Sequence, residues 1–379
     1  MRSCARLGVV VAGVGLVAGL LASRPAHACG GLVQAAGGTV GLNAQRAFFS
    51  VRANGTTELV LQVAVPSTPN DYGILLPAPV QPTLATTPVD SNELDVLEQN
   101  TRPEILETSS GDGGGCGCGA VDGSRNLGVG TQVTVGQVAQ IGPVTAVTLT
   151  ADTGAAVTTW LNDNGFVVPP AFQATVDSYA GTGRWFVAFK RNSTAASGSA
   201  TSVGVRMTMA GDRRDFAVRM AAMGAESEVA ITVFVVATEN VGPASNYTAL
   251  TLEDLDKATL RGGDYRGALK AAVAAAGGRA FVVEGQFAAN AVVTMPTLST
   301  LVDGGSRLTR LSTLMDVARM DADVVFNAAA PATATNTITV MAPVLPGAVR
   351  VAGSSPGQVG MFLLGLGALL VWQERRRRG

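Results

Sequence analysis

Few side chains in this sequence have the type and spacing to do chemistry. Cys116 and Cys118 stand one residue apart in "GDGGGCGCGA", Gly111 to Ala120, and the other two cysteines are Cys4 and Cys29. Such a thiol pair can close a disulfide, hold a soft metal or exchange electrons. Redox thiols normally sit at a helix N-terminus that lowers their pKa, and a run of glycines does not build one. A structural zinc site wants four good ligands at firm spacing, and only Asp112 could join three thiolates here. The stretch is no phosphate loop either, because no Gly-Lys-Ser/Thr follows "GDGGG".

The one histidine is His27, so residues 29–379 contain none. That excludes Ser-His-Asp and Cys-His catalysis, histidine general acid–base work and histidine metal sites. Paired carboxylates remain as a route to hydrolysis, but the spacing reveals no convincing pair. Glu253, Asp254 and Asp256 lack the calcium-loop pattern and read as a solvated helix start. Trp160 and Trp185 lie in apolar patterns and read as core or anchor aromatics. No metal or cofactor is expected.

The positions of these residues depend on how the chain is processed. Arg2 and Arg6 precede an apolar run, Leu7 to Ala22, and Ala26-His27-Ala28 puts small residues at −3 and −1. This is the pattern of a secretory signal peptide, residues 1–28, cut before Cys29 by signal peptidase. An uncleaved anchor and lipidation of Cys29 are the alternatives, although Ala26 stands where a lipobox usually has Leu.

At the other end, a spacer over 329–357 rich in Ala, Thr, Pro and Gly leads to residues 358–379. There the apolar run Val359 to Trp372 is followed by Arg375 to Arg378. The run is short against the ~20 residues a span normally needs. The arginines would stay cytoplasmic and leave the body outside. The tail is expected to contact the membrane through Val359 to Trp372. It is similar to MYXO-CTERM and PEP-CTERM sorting signals, which would add a sorting protease as a partner. No Cys precedes the run and no Pro-Glu-Pro is present, so cleavage of the tail stays open.

The chain carries a net charge of −1, but without the charges at its two ends 20 basic and 27 acidic residues remain, a charge of −7. An acidic exported body has no electrostatic footprint for nucleic acid. Its expected location is the periplasm or cell surface, tethered or released after processing of the tail. About 325 residues lie between the two ends, enough for one large or two ordinary domains. The exported domain is placed at 29–328, with a sub-boundary near 245.

Alternating apolar residues predict a hairpin from Arg46 to Val51 and Glu58 to Val65, turned by Asn54-Gly55. Asp71 to Val80 reads as an extended segment ending at Pro77 and Pro79. A short helix follows over Asp90 to Gln99, with Asp90 and Glu93 at capping-box spacing. Further on, strands are expected at Val144 to Thr150, Arg184 to Arg191, Ser202 to Met209, Asp215 to Met220, Glu228 to Ala237 and Gly278 to Glu284. Helices are expected at Gly154 to Asn164, Ala171 to Tyr179, Tyr265 to Ala276 and Arg307 to Arg319. The fold class is α+β, largely antiparallel sheets with interspersed helices.

Several stretches in order resemble an exported bacterial family, domain of unknown function 2330. They are "ACGG", "AQRAFFSV", "DYGILLPAPV", "CGCG", "TTWLNDNGFVVPP", "YAGTGRWFVAFK", "GGRAFVVE" and "LTRLSTLMDVARMDADVVF". The resemblance spans Cys29 to Phe326 and implies an exported, envelope-associated domain with paired cysteines. Gln34 stands about where members often carry a second cysteine, and Gly73-Ile74 replaces a frequent aromatic. Arg279, Glu284, Thr309 and Arg310 fall in the family-like motifs, either lining a polar cleft or forming structural ion pairs.

The oxidising compartment makes a disulfide the first expectation for Cys29, Cys116 and Cys118. Cys29 would bond to Cys116 or Cys118 and leave one thiol. Closing a loop of about 90 residues would stabilise by up to ~4–5 kcal/mol in the chain-entropy model. A Cys116–Cys118 bridge, a metal site and a plain glycine loop are the other readings. Two functions follow: a non-enzymatic envelope protein for binding, surface structure or scaffolding, or a carboxylate-dependent envelope enzyme such as a glycan-active hydrolase.

Overall fold

The computed structural model describes residues 31–34, 44–65, 72–107, 133–166, 168–192, 201–225, 227–331 and 335–340. The expected signal peptide, Cys29, the Cys116 and Cys118 stretch and the tail lie outside these residues. Among the described residues no helix is long and apolar enough to cross a membrane.

Two sheets dominate. The five-stranded sheet runs β1 (Gly31–Gln34), β4 (Tyr72–Ala78), β9 (Trp185–Arg191), β8 (Val144–Thr150) and β7 (Thr134–Ile141). The eight-stranded sheet starts with β14 (Thr248–Thr251), β15 (Ala280–Ala288), β16 (Arg307–Asp316) and β12 (Glu228–Ala237). It continues with β2 (Ala44–Val51), β3 (Thr56–Val65), β10 (Thr201–Ala210) and β5 (Thr83–Leu84). Three short ladders join β11 (Asp215–Phe216) to β17 (Val324–Val325), β13 (Val241–Gly242) to β18 (Ala328–Ala329), and β6 (Glu104–Glu107) to β19 (Thr337–Val340). The helices are α1 (Ser91–Thr101), α2 (Gly154–Asp163), α3 (Gln173–Tyr179), α4 (Val218–Ala221), α5 (Lys257–Arg261), α6 (Tyr265–Ala275) and α7 (Ala289–Val292). Pairing is mostly antiparallel; β2 with β12, β14 with β15 and β6 with β19 are parallel.

The sheets pack face to face. Alternate residues of each strand point to opposite faces, and Phe49, Leu61, Val205 and Val233 of the larger sheet meet Ile74, Leu76, Val187 and Phe189 of the smaller one. The far face of the smaller sheet, with Leu75, Leu149 and Phe186, is covered by Val157, Trp160 and Leu161 of α2 and Val176 and Tyr179 of α3. The far face of the larger sheet, with Phe48, Val60, Phe234 and Leu308, is covered by Leu94 and Leu97 of α1 and by Ala289 to Leu301. Two sheets between two helical layers thus give an α+β sandwich with a continuous core. Strands from both sides of residue 245 share the larger sheet, and β19, with Ile338 and Val340 fully buried, extends the folded body past position 328 into the expected spacer.

The hairpin forms as its pattern predicts, with Gly55 at φ +81° in the turn. Pro77 lies in β4 beyond the part that β1 covers, where no neighbour requires its missing N–H. Asp90 caps α1, accepting from Asn92 N at 3.0 Å. Glu93 does not complete a capping box. Its carboxylate accepts from Thr297 N and Leu298 N instead and pins the 3₁₀ turn at Leu298–Leu301.

Two expected elements are corrected. Arg307 to Arg319 is not a helix but strand β16, followed by one 3₁₀ turn. Leu308, Leu311 and Leu314 recur every three residues and imitate a helix. The segment lies between β15 and β12 with both faces covered, so the apolar pattern has no period of two. Asp215 to Met220 splits into β11 and the short helix α4.

Gly204 of β10 meets Val89 in a two-way backbone bridge, with N–O distances of 2.8 and 2.9 Å. A Cβ at this position would stand 2.7 Å from Val89 O. Gly204→Ala is therefore expected to destabilise the protein by ~1–3 kcal/mol in urea unfolding, by forcing the bridge apart. An unchanged midpoint would show that the segment before α1 shifts freely.

Candidate functional site

Two polar constellations are built into this frame. The first begins at a bulge between Val283 and Gly285 in β15, which places Glu284 against β16. Glu284 is fully buried, and its Oε2 accepts from Arg310 Nε at 2.5 Å and Ser312 Oγ at 2.7 Å. Its Oε1 accepts from the Tyr265 hydroxyl at the start of α6. Arg310 also donates to Glu98 O at 2.9 Å and Thr101 Oγ1 at 3.3 Å, both on the last turn of α1, and lies 5.6 Å from the Phe234 ring centroid. Glu98 in turn pairs with Arg46 of β2 at 2.6 Å, and Arg46 pairs with Asp95. This chain of charges fills the seam between α1 and α6 on the larger sheet.

Burial and neighbouring charge together set the ionisation of Tyr265 and Arg310. It pushes the Tyr265 hydroxyl far above the ordinary tyrosine range, the adjacent Glu284 carboxylate adds to the rise, and Arg310 offsets part of it. Burial alone would lower the Arg310 pKa. The charges of Glu284 and Glu98 outweigh it, so the guanidinium is held protonated.

Of the four residues singled out in the sequence, Glu284 and Arg310 come together as a buried ion pair, not as the wall of an open cleft. Thr309 points to the opposite face of β16, where its hydroxyl accepts from Val241 N at 3.0 Å. Arg279 lies at the surface and pairs with Asp321. Glu253 pairs with Lys257, Asp254 accepts from Thr251 N and closes the capping box of the 3₁₀ turn Leu252–Asp254, and Asp256 caps α5. Trp160 is buried and Trp185 partly buried, both against the core.

The second constellation was not legible in the sequence. Tyr179, at the end of α3, donates to Asp323 Oδ1 at 2.7 Å. Asp323 also accepts from Arg219 N at 3.1 Å and pairs with the Arg219 guanidinium at 3.3 Å. Arg219 lies 4.5 Å from the Tyr179 ring centroid and Arg184 5.9 Å from it. Asp215 stands 3.8 Å from Arg184, beyond hydrogen-bond reach. Burial raises the Asp215 pKa; Arg184 and Arg213 oppose the rise, and the charges of Asp323 and Asp212 add to it.

Next to this cluster lies a shallow groove of about 370 Å³, with Phe172, Ala222, Met223 and Met320 as its apolar floor and Arg219 and Ser178 on its wall. The residues come from three stretches far apart in the chain, 172–178 with α3, 219–223 with α4, and 320–321 after β16, so no spacing in the chain could reveal them. Among the described residues no cluster of three or more His, Cys, Asp or Glu side chains could hold a metal ion.

Comparison with known proteins gives one informative match. The family model described as an uncharacterized protein conserved in bacteria, DUF2330, matches residues 23–330. No curated protein matches the chain. A crystal structure of mutated baculovirus P35 after caspase cleavage is similar at 7% identity over 54% of this chain and 69% of that one, with a TM-score of 0.25. A likeness that slight supports nothing about fold or role. The chain belongs to the DUF2330 family, whose model covers most of its length.

Removing one partner of a buried ion pair leaves the other charge uncompensated. Arg310→Met is expected to lose ~3–5 kcal/mol of stability in urea unfolding, and Arg310→Met with Glu284→Leu to lose less than the two single variants summed. Additive losses would mean that the two side chains act independently. For Asp215 the sign is the reverse of the usual carboxylate. Its folded pKa lies above its unfolded one, so its contribution to stability is present at acidic pH and lost as pH rises through the folded value. Asp215→Asn is expected to raise the melting temperature at neutral pH and to leave it unchanged in acid. A lower melting temperature at neutral pH would show that pairing with Arg184 outweighs burial.

Proposed function

We propose that this member of the family is an exported, envelope-tethered bacterial protein whose body binds or scaffolds rather than catalyses. The basic and apolar start ending at Ala26-His27-Ala28 supports export. The apolar run followed by Arg375 to Arg378 supports tethering with the body outside.

The observation that carries the non-enzymatic part is the engagement of the buried carboxylates. Glu284 is held through both oxygens by Tyr265, Arg310 and Ser312, and Glu93 is turned onto the backbone of Thr297 and Leu298. A general acid must present its carboxyl group to substrate, and these groups are occupied in joining secondary-structure elements. The second reading, a carboxylate-dependent envelope enzyme such as a glycan-active hydrolase, draws on Asp215, the half-buried carboxyl with a raised pKa, and on the nearby charges of Asp323 and Asp212. That chemistry needs a second carboxyl group ~5–10 Å away across a cleft that admits a sugar. The groove beside the cluster is shallow.

Intact mass of the protein from fractionated cells of its own host tests the reading. The expected result is envelope-associated protein whose mass starts at Cys29, with one free thiol among Cys29, Cys116 and Cys118. Full-length protein in the cytoplasm would overturn export, and three free thiols would overturn the disulfide. Turnover of an envelope glycan that Asp215→Asn abolishes would establish the second reading.

A further inference from the structure

The edge of the smaller sheet and the expected cleavage site lie too close together to be occupied at once. Among the described residues β1 is held on one side only: Gly31 stands opposite Leu75 and Gln34 opposite Tyr72 of β4. Beyond Leu75 the β4 strand runs into Pro77, which has no N–H to offer a further neighbour, so the ladder is confined to this short stretch. The expected cut falls between Ala28 and Cys29, which leaves two residues before Gly31.

Two extended residues reach ~7 Å. A folded body of this size has a radius of gyration of ~19 Å. A protease binds its substrate as an extended strand and takes up the backbone hydrogen bonds on both sides of the scissile bond. With β1 seated on β4, the bulk of the body stands where the peptidase must be.

We propose that β1 joins the sheet only after the signal peptide is removed, so that the outer edge of β4 is a slot reserved for the newly formed N-terminal strand, residues 31–34. This rests on the export reading above. Until the cut, the smaller sheet ends at β4, and the backbone groups of Gly73 and Leu75 that face β1 have no strand partner. Cleavage then does two things: it frees the body from the membrane at its N-terminus and supplies the strand that closes the exposed edge. Because this strand comes from the same chain, its effective concentration is high and no partner protein is needed.

The test locks β1 in place before cleavage. Leu32 and Ile74 are directly opposite in the ladder, so Leu32→Cys with Ile74→Cys, in a precursor whose native cysteines are serine, can be closed by oxidation. Signal peptidase is then added to the detergent-solubilised precursor with and without reductant. The expected result is cutting at least ~10-fold slower in the oxidised form than in the reduced form. A Gly/Ser linker of about twelve residues between Gly30 and Gly31, with an r.m.s. reach of ~19 Å, should make the two rates equal. Oxidised precursor cut as fast as reduced precursor overturns the proposal, and so does a block that the linker fails to relieve. Reduced precursor that is not cut before residue 29 overturns the export reading and the proposal together.

Discussion

The contact between Glu284 and Arg310 is the constraint on which the outer face of the larger sheet depends. A carboxylate with no exposed surface is tolerable only if its charge is matched and both oxygens accept hydrogen bonds. The bulge in β15 turns Glu284 toward β16, and Arg310 and Ser312 on that strand meet it. Arg310 also holds the last turn of α1, and Tyr265 holds the first turn of α6. Two helices that otherwise cover separate parts of the sheet are thereby fixed at a common point. The apolar contacts of Leu94, Leu97 and Leu308 hold helices on this face; the charges fix the end of α1 and the start of α6 against it.

The other helical layer is organised on the same principle with less burial. Tyr179 closes α3 through Asp323, and Arg219 of α4 reaches both the ring and the carboxylate. The short helices α3 and α4 have little hydrogen bonding of their own, and a helix this brief is marginal without tertiary support. The shared aspartate links α3 and α4 to the segment that follows β16. Both layers therefore rest on polar links between elements far apart in sequence, with the two sheets between them supplying the apolar core.

What the sequence revealed depended on whether a residue's polarity reported its exposure. Where one face of a strand is apolar and the turn has its own chemistry, as in β2 and β3 with Asn54-Gly55, the hairpin could be read directly. Helices α2 and α6 were legible as well, α2 through its stop at Asn164-Gly165. β16 was not, because Arg310 and Ser312 are polar yet buried while its leucines fall three apart. Glu284 and Arg310 could be picked out as unusual residues, but their contact arises across a β-sheet pairing that no local pattern encodes. Tyr265 and Glu98, which complete that contact, carry no sequence signal at all. The groove beside Arg219 is likewise a product of folding, assembled from α3, α4 and the chain after β16.

The ladder between β6 and β19 has a mechanical consequence. The strands are parallel, and the last pair is Glu107 with Val340, so both chains leave the ladder at the same end. A pull along the strand on the chain beyond Val340 is resisted by α1 at the opposite end of β6, so it loads the hydrogen bonds of the ladder together, in shear, instead of one pair after another. Ile338 and Val340, both buried, would have to leave their sites in the same step.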